Sequence, residues 1–196
     1  MKVRNGFVSN SSSSSFVCNI CGEIETGFDC SLSDFEMEEC EHGHTFHTEH
    51  ADADFLDATK EEKFEYLKKQ YKQDIEGYEK EKQYYEDMLN GKQKIDSWVQ
   101  QYIDKDNDYL QHKIDGFINS IVNTEHDIED LTADYDTLDD EEFDDKYGDL
   151  IAEYICDNGI PEEYCPVCAK IKEYEQDADW ETYQQLKEKF DGIFLY

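Results

Sequence analysis

The chain has 196 residues, of which 35% are charged and 38% hydrophobic, and 14 tyrosines supply a good part of the apolar surface. Fifty acidic residues against 18 basic ones give a net charge of −32, which opposes direct binding to nucleic acid or to anionic lipid. The sequence lacks an apolar stretch of the roughly 20 residues that a membrane span needs, and it does not begin like a secretory signal. We therefore expect a cytoplasmic protein whose partner is another protein, with a basic surface.

Composition divides the chain into four segments. Residues 1–15 form a Ser-rich leader that ends in five consecutive serines, and it should be flexible because it has nothing to bury. Residues 16–54 contain most of the cysteines and histidines among short extended pieces. Residues 55–158 have the pattern of an acidic helical hairpin plus a third helix. Residues 159–196 contain a further cysteine pair and a C-terminal helix.

Apolar residues at helical spacing predict the hairpin. They advance by three or four between residues 57 and 89, and Asn90-Gly91 is typical of a helix end. A second apolar stripe covers residues 95–138, with polar interruptions where we expect bends or a break. Two long helices that are joined by so short a turn should run antiparallel.

Two shorter helices are predicted beyond the hairpin. The third helix begins near Asp139 and stops at Asn158-Gly159, with Pro161 just beyond. The last helix follows the second cysteine pair. Its apolar residues are Tyr183, Leu186 and Phe190.

Two CxxC pairs indicate a metal site. They are Cys18 with Cys21 and Cys165 with Cys168, and such a turn places two thiolates at the separation that a tetrahedral ion requires. In a reducing compartment, CxxC pairs beside histidines favour a metal over a disulfide. The simplest interpretation is one zinc ion bound by all four cysteines, as in a zinc ribbon that is split by a helical insertion.

A cluster of further donors lies between these pairs. Donors three residues apart near a glycine turn cannot all face one ion, so two sites are natural, and the alternative is a solvated His-rich loop. Cys30 and Cys156 are unassigned and could be buried thiols or substitute ligands. The clustered donors are Cys40, His42, His44, His47 and His50.

The metal segments resemble a RING finger in three short motifs. Cys18-Asn19-Ile20-Cys21 resembles the opening CxIC, residues 43–47 resemble the central GHxFH, and residues 165–168 resemble the closing CPxC. Metal ligands interleave in that family. The resemblance implies a first zinc ion on Cys18, Cys21, His47 and His50, and a second on His44, Cys165 and Cys168 with either Cys40 or His42.

These observations predict a mainly α protein with a small zinc-bound α+β head, into which an antiparallel helical hairpin is inserted between the two metal-binding segments. Catalytic motifs such as HExxH and GxSxG are lacking, so we expect a non-enzymatic protein-interaction module. Zn²⁺ is the expected cofactor, with two ions per chain and one as a minimum.

Two other functions are compatible with the sequence. The RING resemblance implies a ubiquitin-ligase-type adaptor. Residues 125–149 contain 13 acidic residues and only one lysine or arginine, Lys146, which suits a mimic of nucleic-acid phosphates. The leader, from Arg4 to Asn10 and the serines after it, resembles that of uncharacterised bacterial and bacteriophage proteins, which implies a partner in the host cytoplasm.

Overall fold

A computed structural model describes residues 13–103 and 108–176, and these residues are mainly helical with two small sheets. The prediction of a mainly helical chain with a small strand-containing part is thus confirmed. The chain forms two compact units. The terminal unit comprises the described residues up to Ala58 and from Ala152 onward, and the central unit comprises Thr59–Ile151. None of the described helices combines the length and the hydropathy that a membrane span requires.

The strands of the terminal unit form two antiparallel pairs. The first pair is β1 (Ser13–Val17) with β2 (Ile24–Phe28), and the second is β3 (Met37–Glu39) with β4 (Thr45–His47). Ser13, Ser14 and Ser15, which the sequence pattern assigns to the leader, therefore belong to a strand. Pairing uses backbone groups, so it does not require the apolar side chains whose absence suggested a flexible tail.

Two helices complete the second half of the terminal unit. The helix α4 (Asp140–Asn158) ends in this unit, and α5 (Pro166–Gln176) follows the second CxxC pair. The predicted helix with Tyr183, Leu186 and Phe190 lies outside the described residues. Fully buried apolar side chains from both halves form a small core: Phe46, Phe55, Ile160 and Val167.

The central unit contains α1 (Lys60–Leu89), α2 (Ser97–Ile103), α3 (Tyr109–Thr137) and the first part of α4. Aromatic pairs connect α1 with α3. Phe64 stacks on Tyr135 with ring centroids 4.3 Å apart, and Tyr85 stacks on Phe117 at 5.9 Å. Residue numbers thus rise along α1 as they fall along α3, so the two helices run in opposite directions.

The second apolar stripe is divided between two helices. The stripe predicted over residues 95–138 is present as α2 and α3, and residues 104–107 between them lie outside the described part. Val99 of α2 is fully buried in a cluster with Tyr85, Met88, Leu110 and Ile114. The short helix α2 therefore packs on α1 and α3. This packing explains why the apolar residues of α2 have the same helical spacing as those of α3.

Candidate metal centre

The first CxxC pair lies in a tight turn that follows β1. The backbone N–H of Cys18 donates to the carbonyl of Glu23 at 2.9 Å, and the N–H of Gly22 donates to the carbonyl of Cys18 at 2.8 Å. Gly22 has φ +78°, a left-handed conformation that glycine adopts without strain. The turn brings the side chains of Cys18 and Cys21 to the same side.

Asn19 joins this turn to β4. Its side-chain oxygen accepts from the N–H of Thr45 at 2.7 Å, and its own N–H donates to the carbonyl of Thr45 at 2.8 Å. Only 5% of Asn19 is exposed. These two bonds fix β4 beside the turn, so that the Sγ atom of Cys21 lies 3.7 Å from the Nδ1 atom of His47.

Four donors meet at this point, and we call them the first ligand group: Cys18, Cys21, His47 and His50. Their ligand atoms all lie within 4.8 Å of one another, so the group could hold a metal ion. The Nε2 atom of His50 is buried and has no hydrogen-bond partner among the described residues. Leaving such an atom unpaired is costly, and a bound cation would satisfy it.

The turn also favours the thiolate form of Cys18. Burial on its own raises the pKa of this thiol, but hydrogen bonds from the backbone N–H groups of Cys21 and His47 outweigh burial and lower the pKa to about 6. The thiolate is the form that binds a metal. The local backbone therefore prepares Cys18 for coordination at neutral pH.

A second turn brings Cys40 and His44 together. The N–H of Cys40 donates to the carbonyl of His44 at 3.0 Å, and the N–H of Gly43 donates to the carbonyl of Cys40 at 2.7 Å. Gly43 has φ +77°, which again favours glycine. As a result the Cys40 Sγ atom lies 3.5 Å from the His44 Nδ1 atom.

A short parallel bridge carries the distant chain segment to this turn. The N–H of Ile160 donates to the carbonyl of Glu39 at 2.9 Å, and the N–H of Glu41 donates to the carbonyl of Ile160 at 3.0 Å. Gly159, with φ +78°, packs so closely on Cys40 that a Cβ atom there would lie 2.5 Å from the Cys40 carbonyl carbon. This bridge places residues that are more than a hundred positions apart in contact.

The closing CxxC pair lies at the start of α5. Pro166 occupies the first helical position, where its fixed φ is favourable and its missing N–H costs nothing. The backbone N–H of Cys168 donates to the Sγ atom of Cys165 at 3.5 Å. A helix N-terminus stabilises negative charge, so this position suits the anionic ligands of a metal ion.

The second ligand group consists of Cys40, His44, Cys165 and Cys168, whose ligand atoms also lie within 4.8 Å of one another. The Sγ atoms of Cys40 and Cys168 are 3.9 Å apart. The Nδ1 atom of His44 is 3.3 Å from the Sγ atom of Cys168 and 4.0 Å from that of Cys165. All three cysteines are buried, so this group could hold an ion that is shielded from solvent.

Hydrogen bonds within the second ligand group shift the pKa values of its members in opposite directions. Bonds from the Cys165 and Cys168 thiols lower the pKa of Cys40, whereas bonds to Cys165 and Cys40 raise the pKa of Cys168. The neighbouring sulfurs of Cys165 and Cys40 raise the pKa of His44 to about 9, although burial opposes the rise. These shifts favour a proton on His44 and a thiolate on Cys40, and a metal ion bound to the group would displace the protons.

The two candidates for the remaining ligand lie in different surroundings. Cys40 belongs to the second ligand group, whereas the His42 side chain is 52% exposed and lies in a separate set with Glu162 and Cys168. Its Nδ1 atom is 3.8 Å from the nearest Glu162 oxygen and 3.8 Å from the Cys168 Sγ atom. Neither Cys30 nor Cys156 joins any possible metal group among the described residues.

Some residues that shape the site carry no recognisable sequence signal. Glu25 lies with an oxygen 3.6 Å from the Nε2 atom of His47, on the side of the ring away from Cys21. Asn19 is one of the two variable positions of a CxxC pair, and Gly159 has the pattern of an ordinary helix stop. Only the pairing of segments in space reveals their roles.

Comparison of the chain with protein-family models, with curated proteins and with solved structures finds no match.

Proposed function

We propose that the two ligand groups are structural zinc sites and that the chain is a non-enzymatic protein-interaction module, whose terminal unit is folded by the metal. The observation that carries the proposal is the convergence of eight Cys and His side chains into two separate sets of four. Three or four protein ligands of this kind are typical of zinc, and four of them fill a tetrahedral shell and leave no open position for a substrate.

The distances within the second ligand group agree with zinc coordination. Bond lengths of about 2.3 Å to sulfur and about 2.0 Å to nitrogen imply tetrahedral edges of roughly 3.8 Å between two sulfurs and roughly 3.5 Å between sulfur and nitrogen. The Cys40–Cys168 separation is 3.9 Å, and the His44–Cys40 separation is 3.5 Å. The donors are therefore already spaced for one ion at their centre.

The order of the ligands along the chain explains what zinc would stabilise. The first ligand group takes donors from both sides of Cys40 and His44, and the second group joins that pair to the CxxC turn of Cys165 and Cys168. Closing so long a loop costs conformational entropy, which ligation offsets only when the segments meet. Zinc would thus act as a clamp for the terminal unit.

The ligand order also favours one alternative. The resemblance to RING fingers implies the same two interleaved sets. For the fourth ligand of the second set it allows either Cys40 or His42, and Cys40 is the one that lies with the other three donors. A ubiquitin-ligase-type adaptor is therefore the second candidate function. It predicts that the chain accelerates the discharge of ubiquitin from a charged conjugating enzyme; no acceleration across a panel of such enzymes would count against it.

The interaction role follows from charge and from the closed metal sites. With a net charge of −32, the chain attracts basic protein surfaces and repels polyanions. If the chain is phage-encoded, as its leader suggests, the partner belongs to the host cytoplasm. A nucleic-acid mimic remains distinguishable, because neutralising the acidic residues between 139 and 145 would then weaken binding to a captured partner.

Metal stoichiometry tests the central claim. We expect two zinc ions per chain by elemental analysis after purification without chelator, and one ion after His50→Ala, because this change removes a ligand from the first group only. His126→Ala is the matched control, since His126 is an exposed histidine on α3 that lies beside Glu129 and Asp130 and belongs to neither ligand group. A zinc-free wild-type protein would refute the proposal, and two ions in the His50→Ala variant would refute the first site.

Glu25 should tune the first site. A metal-bound histidine commonly pairs its other ring nitrogen with a carboxylate, and loss of such a partner typically costs about 10–100-fold in metal affinity. We expect a loss of this size for Glu25→Gln in competition with a chromophoric chelator. Glu49→Gln, which removes an exposed charge of the same sign between two ligands, should change the affinity less than about threefold. Equal losses in both variants would show that general charge, and not the contact with His47, is responsible.

A further inference from the structure

We propose that a cleft in the terminal unit binds a peptide segment in which an apolar side chain is flanked by lysine or arginine. The inference rests on the proposed role as a protein-interaction module and names the surface and the class of partner. The cleft has a volume of about 790 Å³ and lies between β3, the residues just before it and the C-terminal end of α4. Such a volume is within the range of clefts that hold ligands.

The lining of the cleft combines apolar and acidic residues. Phe16, Leu32, Met37 and Ile155 contribute the apolar part. A side chain such as leucine would bury its surface against them, which is favourable by roughly 25 cal/mol per Å² of apolar area. The apolar lining therefore calls for an apolar anchor in the partner.

The acidic part of the lining favours a positively charged partner. Glu38, Glu39, Glu41 and Asp157 line the cleft, and no described lysine, arginine or histidine lines it. Glu38 is half-buried, its carboxylate receives no hydrogen bond or ion pair from the described part of the chain, and the charge of Asp54 adds to the negative potential around it. A partly desolvated carboxylate without a counter-ion is unfavourable, so a cation from a partner would stabilise it.

Both walls of the cleft are fixed before any partner binds. On one side, the N–H and the hydroxyl of Ser31 donate to the carboxylate of Asp34 at 2.8 Å and 2.9 Å. On the other side, the Ile160–Glu39 backbone bond anchors the chain just after α4. A preformed cleft loses little conformational entropy on binding, which favours a short linear segment as the ligand.

The test uses the zinc-loaded full chain and a fluorescein-labelled peptide with leucine between lysine and arginine residues, at about 0.15 M ionic strength to screen distant charges. We expect the double variant Glu38→Gln with Asp157→Asn to bind this peptide at least about tenfold more weakly. The matched control is Glu125→Gln with Asp136→Asn, which makes the same charge change at exposed positions of the central unit and should alter binding less than twofold.

Two control peptides separate the parts of the argument. Glycine in place of the leucine should weaken binding by at least about fivefold, and glutamate in place of the basic residues should abolish it. Equal effects of the two double variants, or no effect of the leucine, would overturn the cleft. Two zinc ions per chain without peptide binding would reject this inference and leave the metal proposal intact, whereas a zinc-free chain would reject the metal proposal itself.

Discussion

Replacing Cys165 by serine is expected to release one of two zinc ions and to unfold the terminal unit while the central unit stays helical. Cys165 is 1% exposed and belongs to the second ligand group, so its loss leaves two buried thiols and the half-buried His44 without their ion. The loss of a closed zinc site costs several kcal/mol. None of the ligands lies in the central unit, whose helices pack through residues such as Phe64 and Leu131.

Elemental analysis measures the zinc content of the variant, and hydrogen exchange measures the amide protection of each unit separately. Amide protection should fall in the terminal unit and persist in α1 and α3. Cys156→Ser serves as the control, because Cys156 is exposed on α4 and lies outside both ligand groups. If the Cys165→Ser protein keeps two ions and its full protection, the clamp is refuted.

Replacing Gly159 by alanine should destabilise the zinc-loaded protein by about 3–5 kcal/mol, a large effect for a single methyl group. The new Cβ atom would lie 2.5 Å from the carbonyl carbon of Cys40 and 2.8 Å from the carbonyl oxygen of Glu39. Both are backbone atoms, so the bridge between Ile160 and Glu39 must open to make room. That movement should also displace Cys40 and weaken zinc binding at the second ligand group.

Gly22→Ala provides a matched comparison for this change. Gly22 has the same φ of +78° as Gly159, but no atom of the described residues, apart from its immediate chain neighbours, lies within 4 Å of a Cβ placed there. Its variant should cost only the left-handed strain of about 1–2 kcal/mol. The difference in unfolding free energy between the two variants, measured by denaturant titration, reports the close approach at Cys40. Similar values for both variants would show that this contact contributes nothing.

Local signals were sufficient for the helix ends. The sequence Asn90-Gly91 predicts the end of α1, and Gly91 indeed has φ +69°. Asn158-Gly159 predicts the end of α4 in the same way, and Gly159 has φ +78°. Glycine tolerates this conformation whatever surrounds it, so the prediction needs no knowledge of the rest of the fold.

Local signals were not sufficient where pairing in space matters. The serines before Phe16 have no apolar side chains to bury, yet Ser13–Ser15 pair with β2 through their backbone. The polar interruptions in the stripe over residues 95–138 predict bends or a break, and the described residues contain two helices there, α2 and α3. The spacing does not show that Val99 of α2 packs with Tyr85 and Met88 of α1.

The sequence by itself determined which side chains could bind a metal, since the spacing of a CxxC pair fixes two thiols on one turn. The resemblance to RING fingers implies how seven of the donors divide into two sets, and the choice of Cys40 as the eighth member depends on the tertiary structure. Cys40 and His42 are both residue types that bind zinc and lie two positions apart, and the turn closed at Gly43 and the bridge to Ile160 place Cys40 among the second ligand group and leave His42 exposed. The reason is geometric: ligand atoms must converge on one point to within an ångström or so, and that convergence depends on segments far apart in the chain.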